Sequence, residues 1–253
     1  MRILLLSDIH ANLEALDAAL NAAPAHDEVW NLGDVVGYGA NPNEGIELAR
    51  AAGSIFVRGN HDRVCGGVGD LEDFSPMAAR AAQWTRDVLT AEHTDWLRHL
   101  PAGPVEPDGT GVGCVHGSPL DEDEYLATLR DAWLPLARAA TRITFFGHTH
   151  VQGGFATNGE ESFRLVPEFS AHGADDYELP LRKNARYLIN PGSVGQPRDG
   201  DWRAAFALYE SEEDDERQRV TFYRVPYDLK QAQKKILAAG LPDRLAARLS
   251  EGR

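Results

Sequence analysis

Cysteine is scarce in this chain, with Cys65 and Cys114 the only two among 253 residues. Two thiols without Cys-x-x-Cys spacing exclude a disulfide framework and a sulfur-built zinc or redox site, and Cys114 reads as a small core residue. Long apolar runs are missing too. No stretch approaches the roughly 20 residues that span a bilayer. The run Ile3 to Leu6 behind Arg2 is too short for the core of a signal peptide, so a cytoplasmic location is expected. Positive charge is in deficit: 25 Lys and Arg against 39 Asp and Glu give a formal net charge of -14. This balance argues against stable binding to nucleic acid or an anionic membrane, because such binders concentrate cations to displace counterions. A phosphate-bearing substrate would need its counter-charge supplied locally, and bound metal ions can supply it.

What is present describes an ordinary globular chain. A 43% apolar and 25% charged composition is close to soluble averages, and the length suits one domain over residues 1–253. The segment MRILLLSD reads as a strand buried on both faces. Asn12 then resembles an N-cap, with Leu13, Leu16 and Leu20 on a helical stripe. Glu28 to Leu32 and Ser54 to Arg58 are expected strands around a helix at Asn43 to Ala52, and such alternation argues for an α/β fold. Residues 64 to 103 change character into a helical excursion, with Ser75 and Pro76 opening one helix to about Leu89 and a second running from Ala91 to Leu100.

Beyond it, a strand is expected at Gly111 to Val115, helices near Glu122 to Leu129 and Leu134 to Ala140, and a strand at Ile143 to Phe146. Further strands are expected at Val151 to Ala156, Phe163 to Glu168, Arg186 to Asn190, Ala204 to Tyr209 and Val220 to Val225. The acidic run ESEEDDE between the last two reads as a solvated hairpin loop. Asp228 caps a closing helix that stops at Gly240, with Pro242 beyond.

Clusters of potential ligands fall where predicted strands end: SDIH (Asp8, His10), GD (Asp34), GNHD (Asn60, His61, Asp62), VHG (His116) and GHTH (His148, His150). In open α/β sheets that edge is where sites form. Residues two apart in an extended segment share a face, so Asp8 with His10, and His148 with His150, can converge. The glycines before Asp34, Asn60 and His148 allow a sharp backbone turn there. Carboxylate, imidazole and amide donors suit Mn, Fe, Zn or Co.

The ordered series DIH, GDVVGYG, GNHD, VHG and GHTH resembles the calcineurin-like metallophosphoesterase superfamily. GDVVGYGANPNE and NPGSVGQPRDGDWRA resemble its branch of small bacterial and archaeal phosphodiesterases. The resemblance implies a four-layer αββα sandwich of two mixed sheets flanked by helices. It also implies two divalent or transition metal ions, Mn or Fe first, with Zn, Co and Ni as alternatives. By the same resemblance Asp8, His10 and His150 hold one ion, Asn60, His116 and His148 the other, and Asp34 bridges them. The implied reaction is in-line attack on phosphorus by a hydroxide held between the metals. His61 would protonate the leaving oxygen or stabilise charge, and Asp62 would orient His61.

Family members that dephosphorylate proteins carry GDxVDRG, whereas this chain has Tyr38 at the arginine position. That departure favours phosphodiester bonds of small, nucleotide-like substrates over phosphoproteins. Arg198, in GQPRDGD, is the first candidate for contacting substrate; Tyr38, Asn41 and His172 are weaker ones, and Arg63 is not ranked. The alternatives are a dinucleoside polyphosphate hydrolase, a phosphoprotein phosphatase and a non-catalytic scaffold of the same fold. The oligomeric state is left open.

Overall fold

The computed structural model describes residues 1–170, 173–212 and 217–253. Strand and helix alternate first: β1 (Arg2–Leu6), α1 (Leu13–Ala22), β2 (Glu28–Asn31), α2 (Pro42–Ala52) and β3 (Ile55–Phe56). Asn12 caps α1 by accepting the Ala15 N–H at 3.2 Å. A helical stretch follows, comprising α3 (Asn60–Cys65), α4 (Pro76–Val88) and α5 (Ala91–Arg98). Ser75 caps α4 and Thr90 caps α5 through their hydroxyls. The chain then forms β4 (Val112–Cys114), α6 (Leu129–Arg138), β5 (Ile143–Phe145), β6 (Gly153–Thr157), β7 (Ser162–Leu165) and β8 (Asp175–Leu181). It closes with β9 (Arg186–Asn190), β10 (Ala204–Ser211), β11 (Gln218–Val225), α7 (Leu229–Ala238) and α8 (Asp243–Glu251).

Two mixed sheets result, ordered β3-β2-β1-β10-β11-β8 and β4-β5-β9-β6-β7. Strands β1, β2 and β3 are mutually parallel, as are β4, β5 and β9, while the remaining pairings are antiparallel. The apolar residues of β1 divide by the two-residue period of a strand. Ile3 and Leu5 join Trp30, Cys114, Phe145, Tyr209 and Phe222 in a core contributed by both sheets. Leu4 and Leu6 instead pack with Leu16, Ile46, Ile236 and Leu245 from the helices. On the second sheet, Phe146, Phe155 and Leu188 meet Ala132 and Leu136 of α6. This is the expected four-layer αββα sandwich. Full burial of Leu5 contributes roughly 1.5–3 kcal/mol, and a strand covered on both faces has to be apolar throughout, which is why RILLL has no polar alternation.

Three expectations fail. Residues 122–128 are not helical, because Glu122 pairs with Arg58 and Arg63 in a turn. Helix α6 starts earlier than expected, at a capping box between Thr128 and Asp131, and carries Pro135 in its interior. The glycine-proline stop near residue 240 ends only α7, and α8 follows it. Strand β8 and helix α3 are additions that no apolar period announces; β8 alternates between half-buried and exposed along an outer edge. Strands β10 and β11 do form a hairpin, with Ser211 opposite Gln218. Residues 213–216 of the acidic run lie outside the described residues, as does His172.

Candidate metal centre

Parallel pairing of β1 with β2 continues past both strands. Backbone N–H groups of Asp8, His10 and Ala11 donate to the carbonyls of Gly33, Asp34 and Val35, each at 2.9 Å. SDIH and GDVV thus run side by side, and the other sheet is stitched to them: Val194 and Gly195 donate to the carbonyls of Ser7 and Asp8 at 3.0 Å. Ser193 adds its hydroxyl to the Asp8 carbonyl at 2.8 Å, and Asn190 holds the Gly147 carbonyl at 2.7 Å. These two buttresses belong to NPGSVGQPRDGDWRA, which carries part of the family resemblance but marks neither as a site residue.

The backbone at this edge is strained. Asp8, His10, Asp34, His148 and His150 all adopt positive φ, between 49° and 64°. A non-glycine residue is uncommon there, and such strain concentrates at functional sites. The glycine expectation is sharpened rather than simply met. Gly33 has a φ of +102°, while Gly59 and Gly147 lie outside the positive-φ set and instead leave room. A Cβ on Gly59 would collide with the Asp34 carboxylate, and one on Gly147 with the Ser7 hydroxyl.

Six of the seven expected ligands fall into two groups of converging donor atoms, all buried. Asp8, His10, Asp34 and His150 form one, and Asp34, His116 and His148 the other. Asp34 Oδ2 stands 3.6 Å from His10 Nε2 and 3.3 Å from His116 Nε2. His150 Nε2 is 3.3 Å from Asp8 Oδ1. Three imidazoles are oriented alike, each with Nδ1 on a backbone carbonyl: His10 on Val36 at 3.0 Å, His116 on Leu32 at 2.8 Å and His150 on Gln196 at 2.6 Å. Donation from Nδ1 turns the Nε2 lone pair inward, the usual arrangement for a metal-binding histidine.

The donor set fits a cation. His10 Nε2 faces His150 Nε2 at 3.1 Å, and two lone pairs at that distance repel unless a proton or a metal lies between them. His116 Nε2 likewise faces His148 Nδ1 at 3.1 Å. Buried Asp8 Oδ1 and Asn60 Oδ1 have no hydrogen-bond partner, a costly condition that coordination would relieve. Asn60, the seventh expected ligand, heads α3 beside the second group.

Protonation behaviour agrees. Burial, then the neighbouring Asp34, pushes Asp8 up to about 7 against the pull of His116. Burial also works to raise Asp34, but the charges of His116 and His61 outweigh it and hold that carboxyl well below its ordinary range. For His116 burial works downward, and Asp34 overrides it and raises the imidazole to about 10. His116 therefore keeps a proton where a bound cation would otherwise balance the carboxylates. Burial lowers His10 and His150 well below the ordinary value and His148 to about 3, leaving them neutral and able to donate lone pairs.

A sequence profile of the calcineurin-like phosphoesterase superfamily domain matches residues 1–214. The chain belongs to that superfamily. An uncharacterized protein of Methanocaldococcus jannaschii is 37% identical to this phosphoesterase over 254 residues, covering 99% of this chain and 98% of the relative. The crystal structure of a metallophosphoesterase from Sphaerobacter thermophilus superposes with a TM-score of 0.82 at 40% identity, with full coverage of both chains. A hypothetical protein of Pyrococcus horikoshii shares the fold at 20% identity, with a TM-score of 0.76 over 100% of this chain and 98% of its own.

Beside the cluster of donor atoms the phosphoesterase has a cavity of about 600 Å³, lined by residues that include Tyr38, Asn60, His61, Phe74, Tyr125, His148 and Arg198. His61 is buried among Tyr38, Phe74 and His10, at ring separations of 4.4, 4.5 and 4.9 Å. Its Nδ1 has no protein partner, and burial lowers it to about 4. Asp62 does not engage the His61 ring. Its two oxygens accept the backbone N–H groups of Val36 at 3.2 Å and Gly59 at 3.1 Å, and burial followed by Asp34 raises it to about 7. Arg63 is neutralised by Glu122 and Asp123. Asn41 precedes α2 and lines a separate crevice. Cavity residues that sequence reasoning missed include Phe74, Tyr125, whose ring lies 3.8 Å from that of His148, and Arg248 of α8.

Among the described residues no helix is long and apolar enough to cross a membrane.

Proposed function

We propose that this phosphoesterase hydrolyses phosphodiester bonds of small, nucleotide-like substrates with the help of two metal ions. Asp8, His10 and His150 would hold one ion and Asn60, His116 and His148 the other. The observation that carries the reading is Asp34, whose Oδ2 belongs to both donor groups. Manganese or iron suits this oxygen and nitrogen set. When bound, such a pair supplies charge for phosphoryl oxygens and a nucleophilic oxygen at neutral pH.

The chain's own residues do the rest. The carbonyls of Leu32, Val36 and Gln196 orient the imidazoles, and Ser7 holds Asp8 Oδ2 at 2.8 Å, leaving Oδ1 free. His61 is neutral at physiological pH, so of its two expected roles hydrogen-bond donation to developing charge is favoured over delivery of a proton by an imidazolium. Asp62 acts as a positioning residue that ties the GDVV loop to the start of α3. A cavity of about 600 Å³ is of small-molecule size, and its Tyr38, Phe74 and Tyr125 rings offer stacking surfaces for a base. Because α8 contributes Arg248 to that cavity, residues 1–253 are taken to act as one unit.

The test is a substrate panel with Mn²⁺-loaded protein: bis-p-nitrophenyl phosphate, cyclic nucleotides, nucleoside monophosphates, dinucleoside polyphosphates and phosphopeptides. Small diesters should be cleaved fastest. Preferential cleavage of phosphopeptides, or no cleavage at all, would overturn the reading.

A further inference from the structure

Position 38, where protein-dephosphorylating relatives carry arginine, holds tyrosine, yet positive charge has not left the spot. Two arginines from distant parts of the chain converge on that ring. The guanidinium carbon of Arg198 lies 5.7 Å from the Tyr38 ring centroid and that of Arg248 lies 5.8 Å from it. Both line the cavity that holds Asn60, His61 and His148. The Tyr38 ring is itself 4.4 Å from the His61 ring and 4.7 Å from the His10 ring. The arginine pair therefore sits one aromatic ring away from the donor cluster.

Neither arginine forms an ion pair with an Asp or Glu side chain among the described residues. Arg198 donates from Nη2 to Gln196 Oε1 at 3.1 Å and keeps Nε buried without a partner. Arg248 donates from Nε to the main-chain oxygen of Arg253, the last residue of the sequence. By contrast, Arg63, Arg203, Arg224 and Arg244 all form ion pairs. In a chain with 39 acidic residues, two neighbouring guanidiniums that no Asp or Glu side chain pairs, one of them with a buried Nε left unpartnered, point to an anion supplied by the ligand.

Charge counting indicates which anion. Two divalent ions set against Asp8 and Asp34 already exceed the single charge of an isolated phosphodiester. The guanidiniums then match negative charge beyond the scissile group, and their planar donor forks suit phosphoryl oxygens. We propose that Arg198 and Arg248 form a subsite for a second phosphoryl group linked to the one attacked, so that the substrate is a pyrophosphate-containing nucleotide-like ester. Arg248, on α8, lies beyond residue 214, where the match to the family profile ends, whereas Arg198 lies within it. The substrate class rests on the phosphoesterase reading; the anion subsite has an independent readout.

Two arms test it. In the first, metal-free protein is titrated calorimetrically with inorganic pyrophosphate at low ionic strength. Arg198→Gln and Arg248→Gln should each weaken binding by about 10-fold, the loss of one charge-assisted contact. Arg248→Lys should recover part of it, and Arg244→Gln, on the outer part of the same helix, should bind like wild type. In the second arm, Mn²⁺-loaded protein is given the p-nitrophenyl esters of thymidine 5′-monophosphate and 5′-diphosphate, followed chromatographically. Arg248→Gln should raise the ratio of the diphosphate KM to the monophosphate KM by about 10-fold, a change that a general loss of structure would not produce. Failure of the loaded enzyme to cleave either ester would sink the phosphoesterase reading and leave the titration to decide the subsite. Absence of pyrophosphate binding to wild type, or equal binding by Arg198→Gln, Arg248→Gln and wild type, overturns the subsite.

Discussion

Asp34 Oδ2 lies 3.3 Å from His116 Nε2, and the other oxygen of the same carboxylate accepts the backbone N–H of His61 at 2.8 Å. One side chain therefore links the donor cluster to the start of α3 and the ring proposed to act on the leaving group.

Asp34→Asn keeps the shape and removes the shared anion. Metal analysis should show no more than one tightly bound ion per chain, and activity on bis-p-nitrophenyl phosphate should fall by more than the roughly 10–100-fold typical of outer-shell partners. In metal-free protein the same change should lower the titration point of the His116 imidazole, read by NMR, because Asp34 is what raises it. Two tight ions and full activity in Asp34→Asn would refute the bridging role.

The pH dependence of stability follows from His116. Its folded-state value is raised to about 10, whereas an unfolded histidine titrates near 6.5. Between these values the native state holds the extra proton, so metal-free protein loses stability as pH rises. Asp8 and Asp62, raised from 3.8 to about 7, add their decline between about pH 4 and 7 and are largely ionised by pH 8. From pH 8 to 9 the neighbouring His10, His61, His148 and His150 are neutral when folded, their values being lowered, and nearly so when unfolded, so they add little slope. The expected decline there is on the order of 1 kcal/mol per pH unit, or about 2–4 °C in Tm. Bound metal replaces the proton, so the Mn²⁺-induced rise in Tm should grow from pH 8 to 9. His116→Gln should lose most of the metal-free slope in that window; if it retains it, the assignment to His116 is wrong.

The donor cluster was legible in the sequence because six of its members sit in or beside short motifs at strand ends, and parallel strands bring such ends to one edge. The core strands were legible for a related reason, since burial on both faces leaves unbroken apolar runs such as Ile3 to Leu6. Other features depend on tertiary pairing. Arg248 and Tyr125 reach the cavity from α8 and from a turn fixed by the ion pairs of Glu122, and no local period announces either. Strand β8 has Pro180 and alternating exposure, the pattern of an outer edge rather than a buried run. The proposed role of Asp62 shows the limit of motif reading: adjacency to His61 suggests contact, but the helical turn at α3 sends its carboxylate to backbone amides instead.

That geometry separates His61 from Asp62 experimentally. His61→Ala should lower kcat by roughly 10²–10⁴-fold, the usual range for a residue aiding proton or charge development, while metal content stays at the wild-type level. Because His61 is lowered to about 4, the kcat/KM profile should show no acid limb above pH 5 that disappears in His61→Gln. Asp62→Ala should cost about 1–3 kcal/mol by stranding the Val36 and Gly59 amides. The NMR titration of His61 should be the same in Asp62→Asn as in wild type; a shift of a full pH unit would restore Asp62 as its orienting partner.

Gly59 supplies a test of the site's packing that leaves every donor in place. A Cβ at this position would collide with Asp34 Oδ1 and its backbone N–H, and that carboxylate has no free direction to retreat, since its other oxygen faces His10 and His116. Gly59→Ala should therefore displace Asp34 rather than merely fill space. Wild-type circular dichroism combined with weakened binding of both metals and at least about 10-fold lower activity is the expected result, matching the loss from a misplaced supporting group. Gly45→Ala, whose Cβ would meet only Ala11 Cα at 3.7 Å and which, like Gly59, lies outside the positive-φ set, is the comparison that isolates the collision from the mere loss of a glycine. If both alanine variants hold metal equally well, close packing of Gly59 against Asp34 does not govern the centre.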